Sequence, residues 1–227
     1  MVSDSWCSVW AFDNEDNDRT NVGVEMKILI ACEFSGTVRD AFSKLGHDAW
    51  SCDIVPSDTD GNHHQCDLFE IIDNGWDMII AHPPCTYLTV TGNKWFLPQY
   101  KERFPTREQD RLDAIDFFKK IYNCNIPKIV IENPIGIMST VLRKPNQIIH
   151  PWQYGHEANK STCLWIKGVS NLEPTQIVSK GEFVTYKSGK RMTKWYADAA
   201  SLSPKERAKV RNKTFQGIAD AMAAQWG

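Results

Sequence analysis

A chain of 227 residues with 42% apolar and 11% aromatic side chains is long enough to bury one sizeable core and argues for a single domain. Its longest apolar run, Ile28 to Cys32, falls far short of the ~20 residues that cross a bilayer, and the acidic N-terminus lacks the basic and apolar blocks of a secretory signal. A soluble, cytoplasmic protein without a membrane partner is expected. Seven cysteines with no Cys-x-x-Cys pair favour neither a disulfide framework nor a zinc site, so reduced thiols and no metal are expected.

The net charge of -2 conceals a segregation. Residues 1–25 carry six acids and one base, residues 26–139 carry 11 Lys/Arg against 16 Asp/Glu, and residues 140–213 carry 14 Lys/Arg against 5 Asp/Glu. A locally basic second half points to a polyanionic partner, with a merely solvated surface as the plainer reading.

Residues 1–25 show no sustained period and read as a peripheral acidic leader, which leaves 26–227 as the domain. Lys27 to Cys32 is the first strand signal. Gly36 leads into Val38, Ala41, Phe42 and Leu45 at helical spacing, Gly46 stops that helix, and Ala49 to Ile54 reads as the second strand. Trp76 to Ala81 is a third strand, ended by His82-Pro83-Pro84 because two prolines remove ladder donors. The spacing predicts a helix from Thr106, with Gln109 completing a capping box and Leu112, Ile115, Phe118 and Tyr122 on one face. Lys128 to Ile131 is a further strand, stopped at Glu132-Asn133-Pro134. Unbroken apolar strands alternating with helices imply an α/β fold, doubly wound, around a mostly parallel sheet covered on both faces. Beyond it, Thr162 to Ile166 is strand-like, Gln176 to Thr193 alternates like a hairpin, Ser203 to Glu206 starts a helix, and Phe215 to Trp226 is a last one.

Ligands of such folds sit beyond the carboxyl ends of the strands, which here carry Glu33 to Gly36, Asp53, Pro83 to Cys85 and Glu132 to Pro134. Cys85 is the sharpest feature, since the two prolines hold its thiol at the rim. A lone unpaired cysteine is more often a small buried hydrophobe. Glu132, 47 residues on at the next strand end, changes the balance, because a thiol nucleophile and a carboxylic acid facing one pocket form a usable pair.

These residues resemble the motifs of the DNA cytosine-C5 methyltransferase family. Phe34-Ser35-Gly36 is similar to that family's cofactor loop, Asp53 to its ribose-binding acid and Asp67 to its adenine-contacting acid. Pro83-Pro84-Cys85 matches its catalytic Pro-Cys, and Glu132-Asn133 its Glu-Asn. Tyr154-Gly155 and Asn159 to Thr162 are similar to its downstream motif, and Gln216-Gly217 stands where the family returns to complete the cofactor pocket. The resemblance spans about residues 27–168. Val38, Thr86, Lys160 and Thr162 depart from the family's usual glycine, glutamine and two arginines, and residues 169–202 form only a short basic insertion where the family carries a target-recognition domain.

The resemblance implies a Rossmann-like fold binding S-adenosyl-L-methionine through Phe34, Ser35, Gly36, Asp53, Asp67 and Pro83. It implies Cys85 and Glu132 as the catalytic pair and Asn133, Lys160 and Thr162 at the substrate. The expected reaction is methyl transfer to C5 of cytosine in DNA with low sequence specificity, the Cys85 thiolate adding to C6 while Glu132 attends N3. A thiol of ordinary pKa needs a positive neighbour for this, and His82 and Lys160 are the candidates, with a purely structural hydrogen bond as the plainer reading of His82. Tyr87 to Phe104, aromatic and basic, is either a closing loop that holds a flipped-out base or an ordinary packed loop. The competing readings are C5 methylation of RNA or a free nucleotide, methylation of an exocyclic nitrogen, and a catalytically silent nucleic-acid-binding relative.

Overall fold

The structure, a computed structural model, describes residues 24–227, so all of the expected leader except Val24 and Glu25 lies outside the described residues. The elements follow in chain order: strand Lys27–Ala31 (β1), helix Thr37–Ser43 (α1), strands Asp48–Asp53 (β2), His63–Gln65 (β3) and Met78–Ala81 (β4), and helix Arg107–Tyr122 (α2). Then come strand Lys128–Pro134 (β5), the short helix Met138–Val141 (α3), and strands Gln147–Ile149 (β6) and Thr162–Lys167 (β7). A separate hairpin, Phe183–Thr185 (β8) with Arg191–Thr193 (β9), precedes helices Lys194–Asp198 (α4), Pro204–Asn212 (α5) and Gln216–Trp226 (α6).

Seven strands form one sheet in the order β3-β2-β1-β4-β5-β7-β6. Every pair is parallel except the two that involve β7. The chain winds outward from β1 through β2 to β3 and then restarts at β4 on the other side of β1, so the reversal of strand order falls between β1 and β4. That is the crevice where open α/β sheets place their ligands.

Alternation along the strands sorts the core into two layers. Ile28, Ile30, Met78, Ile80 and Val130 face α1 and α6, where they meet Val38, Phe42, Ala219, Met222 and Trp226. Leu29, Ala31, Ile79, Ala81, Ile129 and Ile131 face Phe118 and Ile121 of α2 together with Leu68 and Trp76. Burial on both faces explains why these strands read as unbroken apolar runs.

Some boundaries differ from the sequence expectation. Trp76 precedes β4 and packs instead on the preceding turn, its indole N–H donating to the Ile71 carbonyl at 2.8 Å. β5 continues through Glu132 to Pro134 because antiparallel β7 supplies partners for all three residues. Thr106 forms no capping box: its backbone is already near helical (φ -90°, ψ -5°), its hydroxyl donates to Asp110, and the Gln109 amide donates to Asp113. Leu112, expected on the buried face of α2, is exposed, and the helix is anchored by Phe118 and Ile121. The capping box at Ser203 and Glu206 forms.

Candidate active site

The strand registers line up a row of functional groups. Cys52 pairs with Ala31, Ala31 with Ala81, and Ala81 with Ile131. One residue further on, Asp53, Cys32, His82 and Glu132 therefore stand abreast at the carboxyl edge of β2, β1, β4 and β5. They line a cavity of about 220 Å³ with Glu33 to Ser35, Pro83 to Thr86, Asn133, Lys160 and Arg211 to Thr214.

Each loop beyond the row has a local reason for its path. Cys32 adopts a left-handed φ of 57° and turns the chain away from β1. The carboxylate of Glu33, only 5% exposed, then accepts hydrogen bonds from the Val38 and Arg39 amides at 2.8 and 3.2 Å, which satisfies orphan donors at the start of α1. Gly36 is also left-handed (φ 70°), and a Cβ there would collide with Thr59 and Arg39. Arg39 is 1% exposed; its guanidinium donates to Ser51, Ser57, Thr59 and the Asp60 carbonyl, so it pins the loop after β2 above the Gly36 turn.

On the other side of the crevice, the Asn133 side chain, 2% exposed, donates to the Pro83 carbonyl at 2.8 Å. The Cys85 carbonyl accepts from the Leu88 and Thr89 amides, which closes a tight turn behind the thiol. The thiol loop and the strand end that carries the carboxylate are thus fastened together.

Glu132 and His82 form an ion pair, with Nδ1 2.7 Å from Oε2 and side chains 12% and 13% exposed. Burial works against both charges. For Glu132 it is outweighed by the hydrogen bond from His82 and the charges of Lys160 and His82, so the carboxyl is held below its usual range. For His82 it is outweighed by the hydrogen bond to Glu132 and the charges of Glu132 and Glu33, so the imidazole is held above its usual range. Cys85 behaves differently: burial pushes its thiol up, the Lys160 charge opposes this and Glu132 reinforces it, and the net shift is upward. Between the two positive neighbours expected for the thiol, Lys160 acts on Cys85, while His82 is committed to Glu132.

Among the expected cofactor residues, Phe34, Ser35, Asp53 and Pro83 line the cavity, whereas Gly36 lies outside it, turned against Thr59 and Arg39. Asp67 does not line it. Its carboxylate accepts from the Phe69 amide at 2.8 Å and forms a capping box with Glu70 around a short 3₁₀ turn. Cys85, Glu132, Asn133 and Lys160 come together in the cavity. Thr162 does not join them: it is 3% exposed inside β7, paired to Pro134 and Ile149. Gln216 lies one step outside, and the segment ahead of it, Arg211 to Thr214, closes the cavity instead. No sequence motif marks that segment; only its basic character hints at a role.

The Tyr87 to Phe104 segment is packed rather than free. Arg111 donates to the Tyr87 carbonyl and the Asn93 side chain at 2.9 and 2.7 Å, and its guanidinium lies 3.4 Å from the Phe96 ring centroid. Arg107 reaches the rings of Tyr87, Phe96 and Phe104. The loop is a satellite core clamped to the first turns of α2.

No family model matches the sequence, and no curated protein matches it. Among solved structures, a prophage-encoded Escherichia coli protein classed provisionally as a DNA modification methyltransferase aligns at 16% identity with a TM-score of 0.41, over 79% of this chain and 56% of its own. The chain thus spans little more than half the length of that protein. No helix among the described residues is long and apolar enough to cross a membrane.

Proposed function

We propose that the protein is an S-adenosyl-L-methionine-dependent methyltransferase that acts on C5 of cytosine in DNA through a covalent bond from Cys85. The observation that carries this reading is the cavity at the strand-order reversal, which is lined by Cys85 and Glu132 together with Asp53, Phe34 and Ser35.

The residues present suit such a cofactor. Asp53 Oδ1 accepts from the Val55 amide at 3.2 Å, which leaves its other oxygen for ribose hydroxyls. Phe34 and Ser35, on the loop after β1, line the same cavity beside Asp53. Bound S-adenosyl-L-methionine supplies the electrophilic methyl group. All other steps fall to the chain. Lys160 favours the thiolate of Cys85, the sulfur adds to C6, and Glu132 brings a proton to N3 so that the ring carries the electrons to C5. Loss of the C5 proton and elimination of the sulfur then restore the ring. Asn133 positions the thiol through Pro83. The short segment 169–202 and the basic residues 140–213 suit a nucleic acid held by its backbone with little base reading.

The test is trapping with 5-fluorocytosine in duplex DNA, single-stranded DNA, RNA and free nucleotide, each with cofactor. A stable adduct lost in Cys85→Ala supports C5 chemistry, and the substrate that yields it identifies the natural one. Methyl transfer that survives Cys85→Ala replaces the reading with attack by an exocyclic nitrogen.

A further inference from the structure

Adjacent parallel strands place His82 directly beside Glu132 at the wall of the cavity. His82 Nδ1 meets Glu132 Oε2 at 2.7 Å, and Nε2 is buried with no hydrogen-bond partner among the described residues. Among the described residues, Glu132 is therefore the one hydrogen-bond partner of the imidazole. Glu33 also faces it, but the Glu33 oxygens are taken by the Val38 and Arg39 amides and by Ser35. Lys160 faces the pair from the start of β7 with its ammonium on the Arg211 carbonyl at 3.1 Å, and Cys85 faces Glu132 from the loop after β4. Glu132 Oε1 has no hydrogen-bond partner among the described residues, so one oxygen is held by His82 and the other is left for a ligand.

We propose that His82 is the proton store of the site: its imidazolium supplies, through Glu132, the proton that the pyrimidine ring nitrogen takes up when Cys85 adds. The assignment rests on the C5 reading. The step balances. Cys85 first gives its thiol proton to solvent; the thiolate then forms a bond to C6, the electron pair of the C5–C6 double bond moves through the ring to N3, and N3 takes a proton from the Glu132 carboxyl. That carboxyl has received its proton from His82 Nδ1, and the group turns to present it. The thiolate charge is consumed, the His82 charge is neutralised and Glu132 ends ionised, so no net charge is created in a buried site. Elimination of the sulfur returns the proton along the same route. His82 acts through Glu132 and is a positioning residue in that sense, but one whose proton is used.

Two measurements test this. The first is a titration of ¹⁵N-labelled histidine followed by NMR on the protein without substrate, with His82 identified by its loss in His82→Asn. His82 should titrate alkaline of the free amino acid, and its midpoint should move acidward in Glu132→Gln. Titration at or below the free value in the wild type overturns the store. The second is the pH-rate profile of methyl transfer in His82→Asn, whose amide can still donate to Glu132 but holds no labile proton. A rate loss of about 10² is expected, with the remaining activity rising toward acid pH as Glu132 draws its proton from solution. An unchanged rate and profile leave His82 a structural donor and overturn the proposal. If no pyrimidine substrate is methylated by the wild type, the C5 reading fails, while the NMR titration alone still decides whether the pair holds a proton.

Discussion

Thr89 and Gly136 pair as an isolated antiparallel bridge. The Ile137 amide donates to the Leu88 carbonyl at 2.8 Å and the Val90 amide to the Ile135 carbonyl at 3.2 Å on either side of it. The segment that follows the thiol and the segment that follows the carboxylate are therefore stitched backbone to backbone. The separation of Cys85 from Glu132 is set by main-chain hydrogen bonds, as the proposed reaction requires of two groups that reach one ring together.

Gly136 is the weak stitch. A Cβ there would run into the Leu88 carbonyl, so Gly136→Ala must push the two segments apart. We expect a loss of stability of about 1–3 kcal/mol, typical of forced overpacking, and a slower Cys85 adduct with cofactor affinity kept. Urea unfolding and trapping kinetics on the same preparation check both. An adduct rate equal to wild type would show that the stitch does not set the geometry.

Cys85 is held as a thiol by burial, with Lys160 as its main opposing charge. Lys160→Met should therefore move the alkylation of Cys85 by iodoacetamide to higher pH, because one source of thiolate stabilisation is removed. Rates across pH 7 to 10, read by mass spectrometry at Cys85, decide this. A profile displaced toward acid would reverse the assigned role of Lys160.

The His82–Glu132 pair makes stability depend on pH with a definite sign. His82 is shifted up, so its contribution is complete below the ordinary histidine value near 6.5 and is lost as pH rises through its raised value. Glu132 is shifted down, so its contribution is complete above the ordinary carboxylate value near 4.5 and is lost as pH falls through its lowered value. The stability difference between wild type and His82→Asn should be largest between about pH 4.5 and 6.5 and shrink on both sides. Urea midpoints measured at half-unit intervals test the shape, and a difference that is flat in pH would rule out an ion pair.

Asp53 stands in the row with one oxygen uncommitted. Its replacement by alanine should weaken S-adenosyl-L-methionine binding about tenfold or more, as expected for a lost hydrogen bond to a charged acceptor. Calorimetry measures it directly. Asp67→Ala should leave the affinity near wild type, because that carboxylate is spent on a helix cap outside the cavity.

The sheet and its order of elements were legible because strands buried on both faces carry unbroken apolar runs, and because Pro83 and Pro84 mark where β4 must stop. Three residues of the candidate site were legible for the same reason: Asp53, Cys85 and Glu132 each follow such a run. Asp67 was misleading, since an acid after a short strand reads equally well as a ligand contact or as a cap, and only the position of the Phe69 amide separates them. Thr162 was misleading because its neighbour Lys160 does reach the cavity, and two positions further on the chain has already entered β7. The pairing of His82 with Glu132 depends on the register between two strands about 50 residues apart in the chain, which no local pattern encodes. The role of Arg211 to Thr214 depends in the same way on where α6 docks.

That docking also sets an order of events during synthesis. The α6 face made by Ile218, Ala219, Met222 and Trp226 covers one side of β1 and β4, and Gly217 fits against the Tyr154 carbonyl with no room for a side chain. Until the ribosome has released this helix, Ile28, Ile30, Met78 and Ile80 have only α1 to cover them, and the segment that closes the cavity cannot take its place. The nascent chain therefore carries the Cys85 thiol for well over a hundred residues before the pocket exists. Over that interval the sheet is a sticky half-core open to misassociation, a hazard for which chaperones are the usual remedy. Docking of α6 thus covers this face of the sheet and brings Arg211 to Thr214 to the cavity together.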